Sequence, residues 1–151
     1  MKVVFIPMHY DRDWSWIQLL FGIAATDKTK GIVAVREYED GKTEPVAVAV
    51  FDNWTHNSVC VHWWLDTPMV LRHGFFEEVA HYVFNVCGKR IMIGLVPSDK
   101  PKSIKLAKHL GFEEVYRVKD GYAVGIDQVI LEGRVENADR WLGHVATEEA
   151  A

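Results

Sequence analysis

The residue best suited to chemistry is His62. It stands in the run Ser58-Val-Cys-Val-His-Trp-Trp-Leu65, whose β-branched and aromatic residues predict a strand. Alternation along that strand puts Cys60, His62 and Trp64 on one face. A histidine titrates at about pH 6.5 and suits proton transfer at neutral pH; the alternative is a histidine satisfied within the core. Asp52 and Asp66, at predicted strand ends, are further candidates for a proton acceptor, although carboxylates there are ordinarily just solvated. Trp63 and Trp64 are adjacent, so their rings go to opposite faces, one into the core and the other free to wall a groove. The seven histidines and two cysteines show neither an H-E-x-x-H pattern nor Cys–His ligand spacing, and no metal site is expected. Gly-x-Gly-x-x-Gly, Walker and serine-elbow patterns are absent.

The chain must position these groups within 151 residues, a length that suits one domain with a proper core. At 49% hydrophobic and 25% charged the composition is globular. A net charge of −4 argues against general nucleic-acid or anionic-membrane binding, which favour a basic face. The apolar run in MKVVFIPMHY is too short for a signal peptide and is broken by Pro7, and no run approaches membrane-spanning length. A cytoplasmic protein is expected, with Cys60 and Cys87 as buried thiols and not a disulfide.

The elements follow from periodicity. Lys2 to Met8 predicts a strand. Asp11 or Asp13 is placed to cap a helix through Trp14, Ile17, Leu20, Phe21 and Ala24. Gly31 to Tyr38 and Pro45 to Phe51 predict two strands joined by an Asp40-Gly41 turn, and Ser58 to Leu65 the fourth strand. A loop over Asp66 to Gly74 precedes a helix from Phe75 to Val86. In Arg90 to Phe112, RIMIGLVPSDKPKSIKLAKHLGF, an apolar strand is broken by Pro97-Ser98-Asp99. Pro101 opens a helix capped by Ser98 or Asp99, Ile104, Ala107 and Leu110 form its apolar stripe, and Gly111 ends it. Glu113 to Val118, a turn at Asp120-Gly121, and Ala123 to Arg134 predict a last hairpin. Residues 135–151 predict a short helix around Trp141-Leu142 and a frayed tail. The result is a mixed α/β sheet in the order β-α-β-β-β-α-β-α-β-β.

That order, with a strand, turn and capped helix finishing in Leu110-Gly111-Phe112, resembles the GNAT superfamily of acetyl-CoA-dependent N-acetyltransferases over roughly residues 1–134, leaving 135–151 as a C-terminal extension. More narrowly, FDNWTHNSVCVHWWLDTP, VPSDKPKSIKLAKHLGF, VYRVKDGY and the late RWL look like a group of small GNAT-like proteins encoded by tailed bacteriophages. The resemblance implies a viral product acting in a bacterial cytoplasm.

The resemblance implies acetyl transfer from acetyl-CoA to an amine. A free lysine titrates at about 10.4, so holding it neutral at pH 7 costs about 4.6 kcal/mol, which a general base or a dry pocket offsets. The implied base is His62, with Asp66 as the second catalytic candidate. The implied cofactor residues are Trp64 and Leu65 on the fourth strand, Arg72, His73, Gly74 and Phe75 before the next helix, and Ser98, Lys100 and Ser103 after the fifth strand. The family's pyrophosphate loop, Q/R-x-x-G-x-G/A, corresponds to Leu71 through Phe76; Gly74 matches the first glycine and Phe76 replaces the second small residue. Lys100 stands where the family usually has asparagine, and Ala107 where it often has a tyrosine. These departures leave two expectations open: an acetyltransferase with an unknown amine acceptor, or a GNAT-fold protein that docks on a host protein. The late hairpin and Trp141 are also candidates for a homodimer contact.

Overall fold

The computed structural model describes residues 2–138. Its elements are β1 (Lys2–Pro7), α1 (Tyr10–Phe21), β2 (Lys30–Glu37), β3 (Thr43–Asp52), β4 (Ser58–Leu65), a 3-10 helix (Pro68–His73), α2 (Phe75–Ala80), β5 (Ile91–Pro97), α3 (Pro101–His109), β6 (Glu113–Ala123), β7 (Ile126–Arg134) and a short 3-10 turn (Val135–Asn137). This is the mixed α/β order expected. The helix and tail anticipated around Trp141 lie outside the described residues.

The described residues form two compact units, residues 2–52 with 62–79, and residues 53–61 with 80–138. The hydrogen-bonded strand order is β1-β2-β3-β4 in the first and β4-β5-β7-β6 in the second, with β4 contributing to both.

In the first unit β1, β2 and β3 pair antiparallel. Strand alternation sends Val33 and Val35 of β2 and Val48 and Val50 of β3 toward Trp14 and Ile17 of α1. Ala34, Ala47 and Ala49, also fully buried, take the opposite face. There Phe5 meets Phe75 with ring centroids 5.9 Å apart. Full burial of a valine, isoleucine or phenylalanine side chain contributes about 1.5–3 kcal/mol. The register slips one residue where Val35 meets Pro45, a position where proline has no N–H to give the ladder.

Helix α1 starts ahead of its aspartates, which lie within its first turn; His9 is the N-cap residue, and no side chain caps the helix. Asp13 instead reaches back. Its carboxylate accepts from the His9 N–H at 2.9 Å and from Arg12 at 2.7 Å, while Arg12 also donates to the Pro7 carbonyl at 2.9 Å. The end of β1 and the start of α1 are thus tied through one carboxylate that is 4% exposed.

In the second unit β5 pairs antiparallel with β7, and β7 with β6. Ile104, Ala107 and Leu110 of α3 are buried and its lysines exposed. Gly111 turns with φ of 104°, a conformation open to glycine, and the Phe112 N–H closes the helix on the Ala107 carbonyl at 3.0 Å. Phe112 then packs so closely on β7 that a Cβ at Gly133 would lie 2.9 Å from its ring. The Leu-Gly-Phe ending therefore stops a helix and fits an aromatic ring onto a bare backbone.

Four local expectations are corrected. The segment 75–86 is not one α-helix: after Ala80 the chain widens into a π-helical turn over His81–Val86, with the Cys87 N–H on the Tyr82 carbonyl at 2.8 Å. The loop 66–74 contains the 3-10 helix, started by Thr67, whose hydroxyl accepts from the Met69 N–H. Helix α3 has Lys100 as its N-cap residue and no side-chain cap, because the Ser98 hydroxyl accepts from the Asp127 N–H at 2.8 Å. The last hairpin turns at Gly125, since Asp120 accepts from the Gly125 N–H at 2.8 Å and its own N–H donates to Asp127. Asp120-Gly121 thereby becomes an irregularity within β6, whose eleven residues are all exposed.

Burial alone would raise the Asp13 carboxyl's pKa, but the hydrogen bonds from Arg12 and the His9 N–H, the Arg12 charge and the Trp16 indole together hold it below the ordinary value of 3.8. A depressed native pKa adds stability above the unfolded-state value, and that stability is lost as pH falls through the native one. Asp13→Asn is expected to cost about 1–3 kcal/mol at neutral pH. Its unfolding free energy, measured in urea, should decline less than the parent's on acidification below about pH 4.

Candidate active site

The alternation expected for β4 is present. His62 and Trp64 share a face with Val50 and Asp52 of β3, on the side covered by α1. The Trp16 and Trp64 rings meet edge to face at 6.3 Å, and the His62 ring lies 5.9 Å from that of Phe21 at the end of α1. Trp63 goes to the other face, where it meets Phe76 at 6.0 Å.

Asp52 was an alternative proton acceptor to His62 in the sequence; the structure makes it His62's partner. His62 Nε2 lies 2.8 Å from Asp52 Oδ1, with side-chain exposures of 16% and 19%. A carboxylate oxygen accepts, so Nε2 is the donor in this pair, and in a neutral imidazole Nδ1 is then the acceptor. The arrangement can do base chemistry: a carboxylate fixes the tautomer and orientation of an imidazole whose second nitrogen accepts a proton. The sequence singled out both residues separately, and the ten-residue interval between them carries no mark of their contact.

Asp66 is not part of this pair. It follows the end of β4, where its N–H donates to the Val46 carbonyl at 2.8 Å. Its charge is felt at Tyr38, whose hydroxyl pKa is raised chiefly by a hydrogen bond to Glu44.

The turn expected to receive phosphates is built in the first unit. Arg72 and His73 are exposed in the last turn of the 3-10 helix. Gly74 follows with φ of 86°, its N–H on the Leu71 carbonyl at 3.1 Å and its carbonyl accepting from Glu78 at 3.0 Å. A Cβ at Gly74 would meet only Glu77 Oε2, 3.9 Å away, so the glycine is required by backbone geometry and not by crowding. Phe75 and Phe76 are both buried. The Phe75 side chain is therefore core, and only its backbone is available to a ligand. Glu77 occupies the position from which a capping-box glutamate would accept the Gly74 N–H, but that N–H is engaged by Leu71. Its Oε2 is buried with no hydrogen-bond partner.

Trp64 and Leu65 are half-buried near the end of β4. The parallel β4–β5 ladder includes Ser58↔Ile91, Val59↔Met92 and Cys60↔Ile93. In that unit Ser98 is held by Asp127, Lys100 precedes Pro101, and Ser103 is half-buried on α3. Among the described residues no cluster of three metal-ligating side chains occurs, and no helix is long and apolar enough to cross a membrane.

No family model and no curated protein matches the sequence. Solved structures do match. Mutant forms of the spermidine/spermine N-acetyltransferase SpeG from Vibrio cholerae superpose with a TM-score of 0.72 at 10% identity, covering 95% of this chain and 99% of theirs. An acetyltransferase assigned to the GNAT family from Desulfovibrio desulfuricans gives 0.67 at 15% identity, over 89% and 99%. A protein described as a phosphinothricin N-acetyltransferase gives 0.65 at 16%, over 88% and 98%. Identities this low speak to architecture, and on that evidence the chain has the GNAT acetyltransferase fold.

Proposed function

We propose that the protein is an N-acetyltransferase that moves the acetyl group of acetyl-CoA to a primary amine, with His62 as general base and Asp52 positioning it. The observation that carries this reading is the His62–Asp52 pair at 2.8 Å on β4 of a GNAT fold. His62 Nδ1 takes the proton from the amine, directly or through one water, as the amine nitrogen bonds to the thioester carbonyl carbon. The carbon–sulfur bond then breaks, and CoA leaves as a thiolate that is protonated from solvent. Asp52 accepts from Nε2 throughout and stabilises the imidazolium that forms.

The residues present fit acetyl-CoA in part. Trp64 and Leu65, at the end of β4, are the strand positions that this reading gives to the pantetheine arm. Arg72 supplies positive charge next to Gly74 in the chain, His73 supplies a ring N–H, and the start of α2 supplies backbone donors for a phosphate. Glu77 acts against this, because its unpartnered carboxylate lies beside the same turn. That observation favours a second reading, in which the fold is kept and the protein acts by docking on a host enzyme. Origin in a tailed bacteriophage and action in its host's cytoplasm belong to both readings through the sequence resemblance.

Acetyl-CoA at 100 times its dissociation constant is expected to stabilise the protein by about 2.7 kcal/mol, read as a rise in melting temperature. A flat melting temperature up to millimolar acetyl-CoA would overturn the acetyltransferase reading. Gly74→Val is no clean probe of that site, since a φ of 86° strains any β-branched residue. It should lower unfolding stability by about 1–2 kcal/mol, measured in urea, and Gly74→Asn by less, because asparagine visits the left-handed region.

His62→Gln should lower kcat by about 10²–10⁴-fold and flatten the acid limb of the rate profile, with acetyl-CoA affinity unchanged. Asp52→Asn should lower kcat by a smaller factor and also leave that affinity unchanged. Full activity with an intact acid limb in His62→Gln would make His62 a core residue.

A further inference from the structure

The surroundings of His62 bear on what it can act upon. On its face of β4 the neighbouring side chains are aromatic: Phe21 at 5.9 Å, and the Trp16–Trp64 pair one alternation further along the strand. All three rings are half-buried, so each keeps surface that a ligand can cover. Beyond Phe21 the chain leaves α1 at Gly22 and runs on as Ile23-Ala24-Ala25, without a charge until Asp27. Just before it, Leu19 is 89% exposed and Leu20 41%. The stretch Leu19 to Ala25 is an uninterrupted apolar segment leading up to and past the ring that touches His62.

The carboxylate that touches His62 is Asp52, and its Oδ1 is engaged by the imidazole. Asp13 is tied to Arg12 and His9. A polyamine needs a second, free carboxylate one chain-length away from the reacting nitrogen, because its other ammonium groups stay charged at neutral pH. An amine on an apolar or aromatic body needs instead a surface that its body can cover and rings that tolerate an approaching cation. The side chains around His62 are of the second kind.

We propose that the acceptor is a primary amine borne on an aromatic or similarly bulky apolar body, an arylalkylamine in chemical class, packed against Phe21, Trp16 and Trp64 with Leu20 at the margin. This rests on the acetyltransferase reading for the reaction, but not for the binding. It separates the protein by substrate from the spermidine/spermine N-acetyltransferase whose fold it shares.

The test is a titration of intrinsic tryptophan fluorescence with phenethylamine and with spermidine, without acetyl-CoA, on the parent protein and on Phe21→Ala and Phe21→Leu. Phenethylamine should bind at least about 10-fold more tightly than spermidine, a difference of about 1.4 kcal/mol. Phe21→Ala should weaken it, and Phe21→Leu should restore part of the loss by refilling the volume. Circular dichroism establishes that each variant is folded; if Phe21→Ala is not, Phe21→Leu and the parent's preference decide. Spermidine binding as tightly as phenethylamine, or no phenethylamine binding, would overturn the proposal. Coupled CoA-release assays with both amines then judge the reaction separately. Phenethylamine binding without turnover would sustain the acceptor site and remove the acetyltransferase reading, whereas faster turnover of spermidine would overturn the acceptor class.

Discussion

The first unit depends on one polar contact, the 2.8 Å pair of His62 and Asp52. Both side chains are largely buried, with exposures of 16% and 19%, and a buried polar group left without a partner is costly. Each satisfies the other, so the imidazole is held in one orientation while Trp64, one alternation further along β4, packs on Trp16. The residue assigned the proton transfer is thus oriented by the carboxylate at the end of β3.

Much of this was legible in the sequence, for identifiable reasons. Strands with alternating or continuous apolar residues were found nearly to the residue, as in Ser58–Leu65, because a period of two leaves little freedom of register. Helix α3 was legible because proline, spaced apolar residues and glycine all mark the same boundaries. The His62–Asp52 contact was not. Both residues were singled out separately, but which strand positions come to face one another depends on the course of the Asp52–Asn57 turn. Side-chain competition also escaped detection: Ser98 looked like a helix cap, yet the Asp127 N–H claims its hydroxyl. The π-helical turn carries no signal in periodicity, since the apolar positions Val79, Ala80, Val83 and Phe84 satisfy α-helical spacing equally well.

Electrostatics divides the site into two characters. Around His62 the polar groups are paired and the remaining surface is aromatic. Around Gly74 the charges conflict, with Arg72 and His73 exposed beside a glutamate oxygen that has no donor. A buried unpaired carboxylate oxygen is costly, at about 1–3 kcal/mol. Under the acetyltransferase proposal a pyrophosphate would meet that carboxylate at the same helix start.

The exposed β6 has a consequence for how the protein behaves in a crowded solution. A strand at a sheet edge is a template for intermolecular pairing, and β6 presents Val115, Tyr116 and Tyr122 openly, with Tyr116 66% exposed. Two interruptions stand in the way of aggregation. The register with β7 slips between Glu114 and Tyr116 and again between Val118 and Ala123, so no long flat run of backbone donors and acceptors is presented, and Arg117 and Lys119 place charge between the apolar residues. The irregularities that make this hairpin look poorly formed act as its guard against fibrillar stacking. A chain with Val115 deleted, its ladder straightened, would exchange a local distortion for a loss of solubility.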